Sequence, residues 1–447
     1  MCGIAGFVDF RKQSSEEILA QMSCAVPHRG PDGQGVQFHE TRHAAVGLGH
    51  RRLSIIDLSH AADQPMTYEG LHIIFNGEIY NYSAIRDELI GQGHTFTTHS
   101  DTEVILHSWR AWGEKAIVKW RGMFSIALYD AVSNELVCIR DRAGVKPFHY
   151  FWKDGLFLFG SELKSLTVHP RFAKNINPNA VASFLQYGYI AHPHSIYNDT
   201  YKLPPGYLLR LDLSTEKVSL RQYWNVYESY NKPKLTISLP EAIDETERIL
   251  QESFELRMVA DVPVGVFLSG GYDSSCVTAL LQKGRTEKLK TFTIGSADEK
   301  LNEAQFAKEI AAHLGTEHTE YYCTAKEALD IIPVLPFYYD EPFADSSAIP
   351  TILVSRMARE KVTVALSADA GDEIFAGYNR YDYISRYGKK LQSIPGPVRK
   401  LAAAAMDNIS SERIPYFNKK YNFHSRYDKL KNLLNDPSPS ELLKNLS

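Results

Sequence analysis

The stretch VPVGVFLSGGYDSSCVTALLQKG at residues 262–284 decides how the second half of the chain folds. An apolar run of strand character leads through the glycine-containing turn SGGYDSS into a helix-forming segment. The same alternation continues with the strand KTFTIG, the helix NEAQFAKEIAAHLG and, after a gap, the strand VTVALS. Alternating strands and helices predict an α/β domain with a doubly wound parallel sheet, whose ligand lies at the carboxyl ends of the strands.

The first two hundred residues have a different pattern. Short apolar runs such as CGIAGFVDF, LHIIFNGEIYN and LFLFGSE are separated by Gly, Asn and Asp, which predicts many strands. Few helical segments lie between them, for example YSAIRDELIGQG. We therefore expect stacked sheets that are covered by helices.

The change of pattern sets the expected domain boundaries. The turn cluster LPPGY and the polar segment NVYESYNKPKLTISLP separate the strand-rich part from the alternating part. We predict a first domain at residues 1–205, a linker at 206–240 and a second domain at 241–447.

Composition excludes several classes of protein. The 447 residues include 49 Lys and Arg and 53 Asp and Glu, a net charge of −4, which argues against a nucleic acid as the main partner. No apolar run approaches the roughly 18–20 residues of a membrane helix, and the N-terminus has no secretory pattern. The five scattered cysteines indicate a reduced cytoplasmic protein; apart from Cys2 we interpret them as structural: Cys24, Cys138, Cys276 and Cys323.

Cys2 is the first candidate for catalysis. Removal of Met1 would leave a residue that carries both a thiol and an α-amine, and an amine with a pKa near 8 can act as a base for the sulfur. The segment NGE at 76–78 follows a strand, so the Asn76 carboxamide and the next backbone N–H could stabilise an oxyanion. Alone, such a cysteine is equally compatible with a small apolar side chain.

The turn SGGYDSS at 269–275 is the second candidate. Two glycines and a helix N-terminus let backbone N–H groups approach an anion, and an aspartate at 273 could coordinate Mg²⁺ bound to phosphate. The plain alternative is a helix cap. No GxxxxGK[ST] motif occurs, which disfavours a Walker-type ATPase.

Two further motifs carry acidic or histidine side chains. VALSADAGDEIFAGY at 364–378 places Asp369, Asp372 and Glu373 after a strand, where they could serve a second Mg²⁺ or an acyl substrate, or form a solvated turn. HETRH at 39–43 matches the HExxH zinc motif, but its neighbours predict two strands joined by a turn. Such a hairpin would not present His39 and His43 to one metal, so we do not expect zinc.

The strand-rich half resembles the class II glutamine amidotransferases. The resemblance implies an α+β N-terminal-nucleophile sandwich, in which two stacked antiparallel sheets are covered by helices in an αββα arrangement. The resemblance is carried in order by CGIAGF (2–7), HRGPDG (28–33), GHRRLSIID (49–57), NGEIYN (76–81), SDTEVI (100–105), GMFSIALYD (122–130) and RDRAGVKPF (140–148). It implies that Cys2 is the nucleophile and that Asn76 with Gly77 forms the oxyanion hole. It implies a glutamine pocket made of Arg52, Leu53, Ser54, Ile55, Ile56, Asn76, Gly77, Glu78 and Asp101. In that pocket an arginine suits the α-carboxylate, and two carboxylates suit the α-ammonium.

The second half resembles the ATP pyrophosphatases and, with residues 364–378, the asparagine synthetases. The resemblance implies ATP contacts from Leu268, Ser269, Gly270, Gly271, Asp273, Ser274, Ser275, Ile294, Ser367 and Ala368. It assigns Mg²⁺ to Asp273 and Asp372, and formation of the acyl-adenylate to Asp369. Three glycines of the family signature are Ala368, Ala370 and Ala376 here, which leaves open how well this segment approaches a nucleotide.

Together the two resemblances imply an ATP-dependent ligase without an organic prosthetic group. Glutamine would be hydrolysed at Cys2, and ammonia would pass inside the protein to an acyl-adenylate made from ATP and, by default, aspartate. The products would be asparagine, AMP, pyrophosphate and glutamate. We expect small-molecule substrates, no nucleic-acid or membrane partner, and leave a homodimer open.

Three alternatives stay open. The acceptor could be a sugar acid or a peptide carboxylate, because DEPFADSSAIP at 340–350 lacks an arginine for an α-carboxylate. Family members extend further, so we expect the second domain to be C-terminally incomplete. The second alternative is an amidotransferase that delivers ammonia to a sugar phosphate or phosphoribosyl pyrophosphate. The third is a catalytically silent regulatory homologue.

Overall fold

The computed structural model describes residues 1–296, 302–409, 411, 423–438 and 441–442. These residues form two compact units, Met1–Leu366 and Ser367–Ser447. The first unit contains three sheets, and the second is helical wherever it has regular structure. The domain boundaries at 205 and 240 stay a prediction.

The first sheet lies within residues 3–202, and its strands pair antiparallel. Its strands are β1 Gly3–Asp9, β2 Gly33–Glu40, β3 Ala45–Arg52, β8 His149–Lys153, β9 Leu156–Gly160 and β10 Thr200–Lys202. Their order across the sheet is β10-β8-β9-β1-β3-β2. The strand β1 is therefore a central strand of this sheet. The residues just before β1 lie where the central strands end, not on one of the two edge strands.

The second sheet is also antiparallel. Its strands are β4 Met66–Tyr68, β5 Leu71–Ile79, β6 Gly122–Asp130, β7 Glu135–Arg140, β11 Tyr207–Asp212 and β12 Lys217–Gln222. They are ordered β12-β11-β7-β6-β5-β4. The first half of the predicted linker at 206–240 thus consists of β11 and β12. Leu209 and Leu211 are buried in the core on one face of β11, and β12 is polar and largely exposed, which hid its strand character in the sequence.

Alternation along β1 shows how the two sheets and the helices stack. Ile4 and Val8 pack in the core shared with Ile74 and Ala127 of the second sheet, whereas Phe7 packs on the opposite face with Leu19. Successive strand residues point to opposite faces, so β1 is buried on both sides. The predicted αββα sandwich is confirmed. Its outer layers are α1 Glu16–Cys24 and α5 Leu163–Thr167 on the first sheet, and α2 Tyr82–Gly91, α3 Asp101–Trp112 and α4 Lys115–Lys119 on the second.

The third sheet is parallel, as the alternating pattern predicts. Its strands are β13 Val264–Phe267, β14 Lys290–Ser296, β15 Glu317–Cys323 and β16 Val364–Leu366, in the order β15-β14-β13-β16. The remaining helices of the first unit, in chain order, are α6 Pro178–Tyr187, α7 Val226–Tyr230, α8 Leu239–Leu256, α9 Tyr272–Gln282, α10 Ala304–Leu314, α11 Ala325–Ile331, α12 Leu335–Tyr338 and α13 Ala348–Arg359. The turn at 269–271 lies at the carboxyl end of β13, which is the edge where open α/β sheets bind ligands.

The second unit contains α14 Gly371–Phe375, α15 Asn379–Ser393, α16 Gly396–Asn408 and α17 Phe423–Asn435. The Tyr427 hydroxyl donates to the carbonyl oxygens of Met406 and Ile409, which joins α17 to the end of α16. In the part of the chain that the structure describes, no helix of either unit is long and apolar enough to cross a membrane.

One histidine connects the two antiparallel sheets. His50 lies on β3, is buried, and its Nε2 is 3.1 Å from the carbonyl oxygen of Phe75 on β5. Burial lowers the pKa of His50 to about 4. Because an unfolded histidine titrates near 6.5, the unfolded chain binds more protons below that pH, and stability is lost as the pH falls below about 6.5.

We therefore expect His50→Gln to make unfolding less sensitive to acid. Glutamine retains an N–H donor near the Nε2 position and cannot be protonated. Between pH 6.5 and 5, the unfolding free energy of the wild type should fall by roughly 2 kcal/mol more than that of H50Q, measured by urea titration with tryptophan fluorescence. His60 is exposed, so His60→Gln should behave as the wild type does. Equal pH slopes for H50Q and the wild type would contradict this role.

Candidate active sites

Cys2 lies directly before β1, against the loop that follows β3. Its Sγ is 3.4 Å from the backbone nitrogen of Leu53 and 3.6 Å from the Leu53 carbonyl oxygen. Arg29 Nε donates to the Cys2 carbonyl at 2.9 Å and fixes the backbone there. Burial raises the pKa of the Cys2 thiol, while the Leu53 N–H and the nearby positive charges act in the opposite direction.

Asn76 and Gly77 lie on β5, opposite Ser125 and Phe124 of β6. The Asn76 side chain is completely buried, and within the part of the chain that the structure describes neither its Nδ2 nor its Oδ1 has a hydrogen-bond partner. A buried carboxamide without partners is costly, and such a group commonly has a functional reason. At Gly77 a Cβ would collide with the carbonyl oxygen of Met123, so only glycine fits there.

Two buried carboxylates lie near the end of this strand, Glu78 on β5 itself and Asp101 on α3. Burial raises the pKa of Glu78 to about 7 and that of Asp101 to about 6. Asp101 Oδ2 accepts a hydrogen bond from the Ile79 N–H at 2.9 Å, which joins the first turn of α3 to the end of β5. Asp101 is close enough to Cys2 to affect its titration, so the structure brings these predicted site residues together. The pair suits a cationic group of a ligand.

The loop at 52–57 is held by polar contacts rather than left open. Arg52 Nη1 donates to the Ser59 carbonyl at 2.7 Å and to Asp63 Oδ1 at 2.6 Å, and Nη2 donates to the Asp57 carbonyl. The guanidinium that we expected to clamp an α-carboxylate is thus engaged within this loop. Its role toward glutamine stays a prediction.

The same loop is tied to the residue that precedes the third sheet. Asp261 donates its N–H to the Ile55 carbonyl at 2.8 Å, and its Oδ2 accepts the Asp57 N–H at 2.8 Å. Ser54 donates its N–H to Asp32 Oδ2 at 2.9 Å, whereas the Ile56 side chain is buried. The backbone around Cys2 is therefore coupled to the start of the parallel-sheet region.

Three charged residues near Cys2 were not among the predicted site residues: Arg29, Lys146 and Glu162. Glu162 accepts hydrogen bonds from His28 Nε2 at 3.0 Å and from Arg29 Nη1 at 2.9 Å. Although burial opposes its ionisation, these partners lower the pKa of Glu162 to about 2. Arg29 and Lys146 lie inside the motifs HRGPDG and RDRAGVKPF, where a charged side chain next to apolar residues was the available signal.

The turn after β13 is closed by its own serines. Gly271 N–H donates to Ser269 Oγ at 3.3 Å, Ser269 Oγ is 3.0 Å from Ser274 Oγ, and Ser275 Oγ donates to the Gly271 carbonyl at 2.7 Å. Gly270 has φ of +86°, a conformation that glycine adopts without strain. The hydroxyls that we expected to face a phosphate thus shape the turn, and the first N–H groups of α9 have no partner within the helix.

A cavity of about 690 Å³ adjoins this turn, a size that suits a small-molecule ligand. Predicted ATP residues Leu268, Ser269 and Ile294 line it, together with Glu303 and Thr351. Asp273 lies on the first turn of α9 and is half-buried. The structure therefore gathers at one edge of the sheet the predicted ATP residues of the first unit.

The other predicted residues, Ser367, Ala368, Asp369 and Asp372, belong to the second unit. Within that unit the Ser367 hydroxyl donates to Asp369 Oδ2 at 2.7 Å. Ala370 and Ala376, at either end of α14, have φ of +74° and +57°. Two of the three alanines that replace signature glycines thus have the backbone conformation that glycine favours.

The segment 340–350, which we predicted near the acceptor, contacts the strand-rich half and also lines a cavity. Asp340 pairs with Lys164 at 2.8 Å, and Glu341 pairs with Lys202 at 2.5 Å, so both carboxylates contact the strand-rich half. Ser346, Ile349 and Pro350 line the cavity beside the glycine turn.

The HExxH match does not form a helix. His39 is the penultimate residue of β2 and His43 lies in the turn before β3, as the flanking residues predict. Among the described residues there is no group of three or more His, Cys, Asp or Glu arranged to hold a metal ion.

With this geometry established, the comparisons with known proteins define the class of protein. A family described as a glutamine amidotransferase domain matches residues 1–224, and one described as asparagine synthase matches residues 245–445. A relative from Methanocaldococcus jannaschii, provisionally named a glutamine-hydrolysing asparagine synthetase, is 37% identical; the match covers 90% of this chain and 81% of the relative. Asparagine synthetase 1 of Bacillus subtilis is 36% identical over 90% of this chain.

The chain belongs to the asparagine synthetase family, as the sequence motifs predicted. It spans 62% of the length of the Bacillus relative. Among solved structures, a glutamine phosphoribosylpyrophosphate amidotransferase from B. subtilis covers 72% of this chain, and this chain covers 81% of it, at 14% identity and a TM-score of 0.38. A score this low supports no conclusion about function.

The left-handed alanines generate a prediction about stability. Ala370→Gly should raise the unfolding free energy of the second unit by about 1 kcal/mol, because relief of the left-handed conformation outweighs the extra chain entropy of glycine. Ala404→Gly is the matched control, since Ala404 is exposed within α16, and should instead cost about 1 kcal/mol. Urea unfolding of both variants checks the signs, and equal losses in both would contradict the strain.

Proposed function

We propose that this protein is a glutamine-dependent amidotransferase of the asparagine synthetase type. It hydrolyses glutamine at Cys2 and transfers the ammonia to an acyl-adenylate made from ATP. The observation that carries the proposal is the buried Asn76 carboxamide, for whose two polar atoms the described residues provide no hydrogen-bond partner. A fixed donor of this kind is what a developing oxyanion requires.

The glutaminase half-reaction follows from the groups around Cys2. After removal of Met1 the α-amine of Cys2 accepts the thiol proton, and the sulfur attacks the side-chain amide carbon of glutamine. The carbonyl oxygen becomes an oxyanion and accepts hydrogen bonds from Asn76 Nδ2 and the Gly77 N–H. The C–N bond breaks, the proton leaves with ammonia, and water hydrolyses the thioester to glutamate. Glu78 and Asp101 bind the α-ammonium of the substrate.

The second half-reaction uses the edge of the parallel sheet. The acceptor carboxylate attacks the α-phosphate of ATP and displaces pyrophosphate, which gives an acyl-adenylate. Ammonia then attacks the acyl carbon and releases AMP. The N–H groups at the start of α9 suit the phosphates, and the Asp273 carboxylate is an oxygen ligand of the kind Mg²⁺ prefers. When bound, Mg²⁺ would neutralise charge on the departing pyrophosphate.

Two neighbouring cavities support transfer of ammonia inside the protein. A cavity of about 700 Å³ is lined by Met1, Arg29 and Leu53 near Cys2 and also by Phe267 and Thr351. The last two residues equally line the cavity beside the glycine turn. An enclosed route matters because ammonia is protonated and lost in water at neutral pH.

Aspartate is the acceptor that the family suggests, and amidation of a sugar acid or peptide carboxylate by the same chemistry is the alternative. Incubation of the protein with ATP, glutamine and each candidate carboxylate, followed by assay of pyrophosphate and AMP, identifies the acceptor. If no carboxylate elicits pyrophosphate release, the synthetase half of the proposal fails. A catalytically silent homologue, which the strained alanines favour, would then be the better description.

Changes at the glutaminase site should separate the two activities. Cys2→Ala should abolish glutamine hydrolysis, and Asn76→Ala should lower its kcat by about 10²–10³-fold, while synthesis from added ammonia continues in both. Asn225 caps the short helix α7 outside the site, so Asn225→Ala is a suitable control for N76A. Glutamate and amide product are measured for each variant. Undiminished glutamine hydrolysis in C2A would refute the nucleophile.

The reverse separation is expected at the nucleotide site. Asp273→Asn removes a negative oxygen ligand without altering size, and should reduce pyrophosphate release at least tenfold while glutaminase activity persists. Asp244 on α8 provides the control variant Asp244→Asn. Normal ATP cleavage by D273N would rule out the metal role of Asp273.

A further inference from the structure

The side chain of Lys146 is a buried cation beside Cys2. Lys146 lies between β7 and β8 and is 3% exposed. Its Nζ is 2.8 Å from the Sδ atom of Met1. A thioether is a weak acceptor for an ammonium that carries three N–H donors, and a buried charge needs better compensation than this. The contact is also lost when Met1 is removed.

The backbone of Lys146 is held rigidly. The buried Asp141 carboxylate accepts the N–H groups of Ala143 at 3.1 Å, Val145 at 2.9 Å and Lys146 at 2.9 Å. From the other side, Arg140 Nε donates to the Lys146 carbonyl at 2.9 Å and its Nη2 to the Gly144 carbonyl at 2.8 Å. These charge-assisted bonds fix the loop, so the direction of the side chain follows from the fold.

The charged groups that face Lys146 define what its ammonium does. The buried ammonium contacts Met1, the residue before Cys2, and the groups that act on it electrostatically are the Met1 amine, Cys2, Arg29, Glu78 and Asp141. Burial lowers the pKa of Lys146 to about 8, and the positive charge of Arg29 acts in the same direction, while Glu78, Cys2 and Asp141 oppose it. Among these neighbours, Cys2 and Glu78 are the groups for which the proposed reaction needs a negative form.

We propose that Lys146 is a positioning residue of the glutaminase site: its ammonium, released from Met1 by processing, stabilises the Cys2 thiolate and the Glu78 carboxylate. The inference rests on the proposed glutaminase function and adds a residue to it. The ammonium forms no bond to the substrate and transfers no proton in this role. It makes the anionic forms available at neutral pH, where Asp101 and burial act against them.

The test compares a neutral and a cationic replacement in the processed full chain, with the N-terminal cysteine verified by mass spectrometry. Lys146→Met removes the charge at similar length, and Lys146→Arg retains it. The readouts are the pH dependence of Cys2 alkylation by iodoacetamide, located by peptide mapping, and the pH profile of glutaminase kcat/KM. Lys153, an exposed lysine paired with Asp199, supplies the control Lys153→Met.

We expect K146M to require a pH higher by about one unit for half-maximal alkylation, and to lose about tenfold in kcat/KM at pH 7. The loss should shrink at pH 9, and KM for glutamine should rise because Glu78 is less ionised. K146R and K153M should keep the wild-type profiles.

A lysine that only fills space gives a different result. K146M would then lose activity by the same factor at every pH, or lose none, and either outcome overturns the inference. If K146M does not fold, Lys146→Gln supplies a second neutral side chain, judged by the same profiles. Absence of glutaminase activity in the wild type would instead refute the proposed function, so the two failures are distinguishable.

Discussion

The face-to-face packing of two antiparallel sheets is the constraint on which the rest of this structure depends. It places the start of β1, a central strand of the first sheet, beside the end of β5 in the second. His50 crosses the same interface to the Phe75 carbonyl, one residue before Asn76. Because the sheets exclude water between them, a buried polar group at their end needs a hydrogen-bond partner, either from the protein or from a bound ligand.

Exclusion of water explains the chemical character of the proposed glutaminase site. Burial raises the pKa of Cys2, Glu78 and Asp101, so the fold itself works against the anions that the reaction needs. Opposing contributions come from Lys146 at Glu78, from the Leu53 N–H and nearby cations at Cys2, and from backbone N–H groups at Asp101. The same low-polarity surroundings strengthen each remaining interaction, which is why an unpartnered carboxamide can be an effective donor there. Exclusion of water is thus the common cause of the raised pKa values and of the stronger hydrogen bonds at this site.

Local sequence patterns were sufficient for much of this architecture. The short apolar run CGIAGFVDF predicted a strand, which the structure shows to be buried on both faces, and the alternation of strands and helices around SGGYDSS predicted a parallel sheet. Prediction failed where a pattern was weak. The edge strand β12 is polar because it faces solvent, so it was assigned to a linker. The mutual hydrogen bonds of Ser269, Ser274 and Gly271 could not be predicted because they depend on the folded turn, and the predicted ATP contacts of these residues stay a prediction.

By itself, the sequence determined the class of fold and the family, and it supplied the candidate site residues. Periodicity and motif spacing suffice for this because they are properties of short segments. Only the tertiary structure decided which side chains are engaged and which are unpartnered. It engaged Arg52 in local contacts, paired Asp340 and Glu341 with lysines of the strand-rich half, and left the Asn76 carboxamide without a hydrogen-bond partner among the residues that are described. Those outcomes depend on residues far apart in the chain, since hydrogen bonding and burial are set by whichever segments packing brings together.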